Sequence, residues 1–218
     1  MSDKLRKGII VFFSLLIALE AILVMLGWIL GINSLTRFVP TGINMAFITA
    51  LLFCLSALSL FLTADILSGT DNHFAPIILS GISLVIFLVT ITIYIGSLFE
   101  ITTGFENLFI RSDVSGQSLE FVAHTSAFST LICFFLVGIS NIFVVNWGSI
   151  PTRNIIIIGS LVFFAGVIAL SGYVLDLPFL YYKFSSSAVP MALNTAILFI
   201  ILGLGLIISS WGHKENEA

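Results

Sequence analysis

Gly172-Tyr173-Val174-Leu175-Asp176-Leu177, an aromatic loop, then Met191-Ala192-Leu193-Asn194-Thr195-Ala196-Ile197-Leu198-Phe199: this run decides the fold. The same order of residues stands earlier, as Gly27-Trp28-Ile29-Leu30-Gly31-Ile32, a loop, and Met45-Ala46-Phe47-Ile48-Thr49-Ala50-Leu51-Leu52-Phe53. A worn version lies between them, from Gly96-Ser97-Leu98-Phe99-Glu100-Ile101 to Val122-Ala123-His124-Thr125-Ser126-Ala127. Each version reads as the end of one apolar helix, an outer loop and the start of the next helix. The expectation is an all-α integral membrane protein, with six transmembrane helices arranged as three parallel helix–outer loop–helix repeats.

Composition supports the membrane class. Of 218 residues, 59% are hydrophobic and 9% charged, and the mean hydropathy is +1.19. A soluble domain carries about 25% charged residues, so this inventory cannot build a water-facing surface. The net charge of −3 is spread over loops and ends without a basic stripe, which argues against a nucleic-acid partner. Cys54 and Cys133 both sit inside apolar runs, as buried thiols do; a disulfide framework needs cysteines in outer loops.

Six apolar segments are long enough to cross a bilayer, which takes ~20 residues each. They run roughly from Gly8 to Leu30, Asn44 to Leu67, Pro76 to Leu98, Leu119 to Asn146, Ile155 to Leu175 and Val189 to Trp211. They fall into repeat units of about 8–67, 76–146 and 155–211 within a single membrane domain. The first follows Lys4, Arg6 and Lys7 and outruns the ~7–15 apolar residues of a signal peptide, so it is read as an uncleaved span. With the N-terminus inside, Lys4, Arg6, Lys7, Arg153 and Lys214 are cytoplasmic, and Arg37, Arg111 and Lys183 are outside. That bias places both termini in the cytoplasm of a plasma (inner) membrane protein.

The outer connections are long and aromatic, and carry Phe38, Phe99, Phe105, Phe109, Phe179, Tyr181, Tyr182 and Phe184. Aromatic rings collect where headgroups meet acyl chains. An ordinary aromatic belt accounts for them; the rim of a shared outer pocket accounts for them equally well.

Ala46 and Ala50, Ala123 and Ala127, and Ala192 and Ala196 are each four apart. Small residues at that spacing share one helix face and let backbones approach closely. Thr49, Ser126 and Thr195 adjoin that face and can hydrogen-bond across helices or back to their own. The second helix of each unit is therefore expected on the inside of the bundle. Gly27 and Gly31 form a G-x-x-x-G that reads either as a helix contact or as the turn into the loop.

These motifs resemble the membrane-embedded sensor regions at the N-termini of some prokaryotic histidine kinases and diguanylate cyclases. Those carry Gly-Tyr or Gly-Trp at a helix end, an aromatic loop, then Met-Ala-x-x-Thr-Ala-x-x-Phe. The match is best over Gly172–Phe199, good over Gly27–Phe53 and poor over Gly96–Ala127. The resemblance implies a receiver of signals in or near the membrane. No kinase or cyclase stretch follows within the 218 residues, which fits either a stand-alone sensor or scaffold or part of a longer protein.

Glu20 stands among Leu, Ile and Val near the middle of the first span. A charge there costs ~2.5–3.5 kcal/mol on insertion scales, and such residues face the bundle or a cavity. No mid-span Lys or Arg is present to pair with it. It is read either as a ligand or proton contact or as a carboxyl bonded to a neighbouring helix. Trp28 and Tyr173 at the first-helix ends, His124 one turn inside the fourth span, and Asn194 at the matching place in the last are the other candidate ligand contacts. His73 and His213 lie at other depths, so the three histidines make no metal site. Glu100, Glu106, Asp113, Glu120 and Asp176 read as solvated surface, and Asp65 as interfacial.

H-E-x-x-H, G-x-S-x-G and the phosphate-loop pattern are all missing, and with them the usual signs of hydrolase or nucleotide chemistry. The expectation is a non-enzymatic sensor holding a small apolar or amphipathic molecule in an outer-leaflet pocket, its cofactor content unknown. Its partners are then membrane lipid, an output protein such as a kinase, and a second copy of the chain. A small transporter or channel using Glu20, and a structural subunit of a membrane complex, are the alternatives.

Overall fold

The computed structural model describes residues 3–39, 42–67, 73–99, 127–146, 152–177 and 190–210. All regular structure among them is helical. The elements are α1 (Asp3–Leu30), a short α2 (Asn33–Thr36), α3 (Phe47–Leu67), α4 (Phe74–Phe99), α5 (Phe128–Val145), α6 (Thr152–Val174) and α7 (Leu193–Ser210). Six of these, all but α2, are long and apolar enough to cross a membrane. The expected fourth span begins at Leu119; its residues 119–126 lie outside the described residues.

Consecutive long helices pack as pairs, α1 on α3, α4 on α5 and α6 on α7, and α1 also meets α7 to close the ring. α3, α5 and α7 form the inside: 72%, 50% and 61% of their span residues are buried, against 28%, 33% and 39% for α1, α4 and α6. The outer helices turn Phe12, Leu15, Leu19, Leu84, Leu88, Leu161 and Phe164 outward, the side chains a lipid-facing surface needs.

The inner helices meet at one aromatic cluster. Phe53 of α3, Phe134 of α5 and Phe199 of α7 are fully buried. Their ring centroids are 4.8 Å apart for Phe53–Phe134, 4.8 Å for Phe53–Phe199 and 5.1 Å for Phe134–Phe199, inside the range that aromatic pairs favour. One turn and two turns before these rings the three helices again carry like residues. Thr49, Thr130 and Thr195 are buried, as are Ala46, Ala127 and Ala192. Each of those alanines immediately precedes its helix, and its carbonyl accepts the N–H four residues on: Ala50 at 3.1 Å, Leu131 at 3.1 Å and Ala196 at 3.0 Å.

This register differs by one turn from the one the small-residue pairs suggest. Ala127 takes the place expected for Ala123, and Thr130 the place expected for Ser126. Four residues after Ala127, where α3 has Ala50 and α7 has Ala196, α5 has Leu131. Ala123 and Ser126 themselves lie outside the described residues.

α6 and α7 approach most closely. A Cβ added to Gly203 would lie 2.6 Å from the Phe163 backbone nitrogen and 2.7 Å from the Gly159 carbonyl oxygen. One added to Gly166 would lie 2.6 Å from the Ala196 carbonyl oxygen. Gly159 and Gly166, seven apart, thus form a groove for the Ala196–Gly203 face of α7. At the far end, where α1 begins and α3 finishes, Lys7 Nζ lies 2.9 Å from Asp65 Oδ1, which gives Asp65 a basic partner.

Candidate functional site

The loop ends of α1 and α6 are built alike. The α1 helix closes with the Ile32 N–H on the Gly27 carbonyl at 2.8 Å, and Gly31 stands at φ 69°. The α6 helix closes with the Leu177 N–H on the Gly172 carbonyl at 2.8 Å, and Asp176 stands at φ 51°. Both are left-handed C-terminal caps of the Schellman kind. Gly27 and Gly31 therefore mark the turn into the loop. A Cβ on Gly27 would also come within 2.7 Å of Leu35 Cβ, so the glycine seats α2.

The aromatic residue after each first glycine ties the helix end to its partner's start. Trp28 Nε1 donates to the Met45 carbonyl at 2.8 Å, and the Tyr173 hydroxyl donates to the Met191 carbonyl at 2.6 Å. These bonds hold each helix end against the residues that open its partner helix. The indole N–H of Trp28 is engaged there, and Trp28 does not line the cleft described next.

Asn194, only 1% exposed, is the joint between the first and last helix pairs. Its Nδ2 donates to Glu20 Oε1 at 3.0 Å, and its Oδ1 accepts the Phe38 backbone N–H at 3.0 Å. One amide thus links α7, α1 and the loop that follows α2. Glu20 is half-buried and has a definite partner on a neighbouring helix, the Asn194 amide.

Beside this joint lies a cleft of about 570 Å³, within the ~300–1,000 Å³ typical of small-molecule sites. Arg37, Phe38, Val39, Gly42 and Ile43 form one wall. Leu170, Tyr173, Val174 and Asp176 form another, and Leu193, Asn194 and Ile197 the floor. Most of the lining is apolar. Arg37 and Asp176 bring opposite charges to it, and no ion pair joins them among the described residues. A second, axial void of about 10 Å³ is lined by the alanines and threonines of the inner helices. That is room for one water and no larger guest.

Of the five candidate ligand contacts, the structure brings Tyr173 and Asn194 to the cleft and Glu20 to the back of Asn194. It places Trp28 elsewhere, and His124 lies outside the described residues. Arg37 and Asp176 were missed as site residues because each read as ordinary loop charge. One signal was available: Asp176 occupies the place of Gly31 in the aligned motifs, a substitution that costs backbone freedom. Among the described residues no group of His, Cys, Asp and Glu is arranged to hold a metal.

Comparison with protein families, curated proteins and solved structures gives no match.

Proposed function

We propose that the chain is a multi-pass sensor domain of the inner membrane, non-enzymatic, built from three copies of one helix–loop–helix unit with both termini cytoplasmic. A small apolar or amphipathic molecule binds in the outer-leaflet cleft between the first and third units. The cytoplasmic helix ends report its presence to an output protein such as a kinase.

The observation that carries this reading is the Asn194 joint. The cleft floor, the α1 carboxyl and the first loop share one buried amide, so a guest in the cleft bears on the contact between the first and third units. A ligand moves such an equilibrium only by binding two packings with different affinity. The glycine-to-backbone contact of α6 and α7 offers a packing with little slack. The matched caps, the matched Trp28 and Tyr173 bonds, and the Ala, Thr and Phe sets of the inner helices support the three-copy construction. The resemblance to kinase and cyclase sensor regions supports the role.

Native mass spectrometry of gently solubilised protein tests the proposal. A defined small molecule held at fixed stoichiometry, and lost when Ile197→Trp fills the cleft, is the expected result. A bare chain that instead moves protons or solutes into liposomes, with the flux lost in Glu20→Gln, would overturn it in favour of a transporter.

A further inference from the structure

We infer that the cleft selects an amphiphile with a zwitterionic head, a phosphate and a primary ammonium, of which phosphatidylethanolamine is the membrane representative. This deepens the ligand-binding reading above and rests on it. Three observations carry it.

First, Arg37 and Asp176 line one cleft from two separate chain segments, and no ion pair joins them among the described residues. A guest with a single charge pairs with one of them and leaves the other without a partner in the cleft. A guest bearing both charges satisfies both. An Arg guanidinium suits phosphate through paired N–H donors, and a carboxylate accepts the N–H bonds of an ammonium.

Second, Asp176 is kept where the backbone disfavours it. Its φ is 51°, while the matching cap of α1 has glycine, at φ 69°. Asp tolerates the left-handed region better than most residues, yet glycine occupies it without a Cβ penalty. A carboxylate at this position puts a charge on the cleft lining that glycine would not.

Third, the rest of the cleft suits a chain rather than a soluble zwitterion. Leu170, Leu193 and Ile197 continue from the charged rim onto α6 and α7. Next to them Val174 is 76% exposed, so the cleft reaches the apolar outer surface.

The test titrates delipidated full-length protein in detergent with phosphatidylethanolamine or phosphatidylglycerol of the same acyl chains, read by native mass spectrometry. Wild type should retain phosphatidylethanolamine about tenfold better, the worth of one charge-assisted contact. Asp176→Asn, which suits the same backbone conformation, and Asp176→Gly should both erase the preference. Arg37→Gln should weaken both lipids. Equal retention of the two lipids by wild type, with both displaced by Ile197→Trp, would overturn the headgroup assignment and leave the cleft reading standing. Retention that Ile197→Trp does not change, or no retention, would overturn the cleft reading as well. Competition by glycerophosphoethanolamine as strong as by the intact lipid would overturn the amphiphile and assign the site to a soluble zwitterion.

Discussion

Asn194 and Glu20, 174 positions apart in sequence, share a 3.0 Å hydrogen bond that joins the last helix of the bundle to the first. Because Asn194 is buried, removing its acceptor leaves an amide proton without a partner, at a cost of about 1–3 kcal/mol. Glu20→Leu should therefore destabilise the bundle by that order. Glu20→Gln keeps an acceptor oxygen and should cost less than ~1 kcal/mol, in line with hydrogen bonds between membrane helices. Unfolding in mixed detergent micelles, followed by tryptophan fluorescence, separates the two variants. Equal stability of Glu20→Leu and wild type would remove the joint from the account.

The α6–α7 contact makes a sharper prediction. A methyl on Gly203 meets backbone atoms of Phe163 and Gly159, which cannot rotate away as a side chain would. Gly203→Ala should cost roughly 1–3 kcal/mol as overpacking. Gly81 in α4 is the control, because nothing lies within 4 Å of an added Cβ there. Gly81→Ala should be neutral or stabilising by up to ~1 kcal/mol through helix propensity. Thermal midpoints of the two variants, measured side by side, check the assignment.

The buried rings of Phe53, Phe134 and Phe199 predict a shared response. Lipid tails are as apolar as the side chains, so truncation here acts mainly through the lost packing rather than through transfer from water. Phe134→Ala should cost ~3 kcal/mol or more, while Phe134→Leu should cost markedly less. The double variant Phe134→Ala/Phe199→Ala should fall short of the sum of the singles, since the rings touch. Additive losses would contradict a common cluster.

Asp176 separates stability from binding. Asp176→Gly relieves a left-handed residue and should stabilise the α6 cap by up to ~1 kcal/mol. The same change removes a cleft charge and should lower ligand retention. A stabilised protein that binds less well is the outcome a functional carboxylate predicts. Loss of both properties together would mark Asp176 as structural.

Much of the architecture was legible in the sequence because it rests on composition and spacing. The apolar segments located the long helices, and the Ala–Thr–Ala face of the second and sixth spans pointed to the inside of the bundle. The register of α5 was not legible. Leu131 broke the small-residue pair, and Phe134 gains meaning only beside Phe53 and Phe199. The groove on α6 left only a faint mark, Gly159 and Gly166 seven apart. The cleft was the least legible part, because it joins residues far apart in the chain, Arg37 and Phe38 with Asp176 and Asn194. Only folding brings those positions together.

The central claim is that the cleft at the loop end communicates with the opposite end of the bundle. Its most direct test is pulsed electron–electron resonance between spin labels at Lys4→Cys and Arg153→Cys, at the far ends of α1 and α6. Cys54→Ala and Cys133→Ala remove the native thiols. The distance distribution is compared in lipid-free detergent and after addition of a polar lipid extract, in wild type and in Asn194→Leu. The account predicts a shift with lipid in wild type that is lost in Asn194→Leu. An unchanged distribution in wild type, with lipid demonstrably held in the cleft, would contradict it.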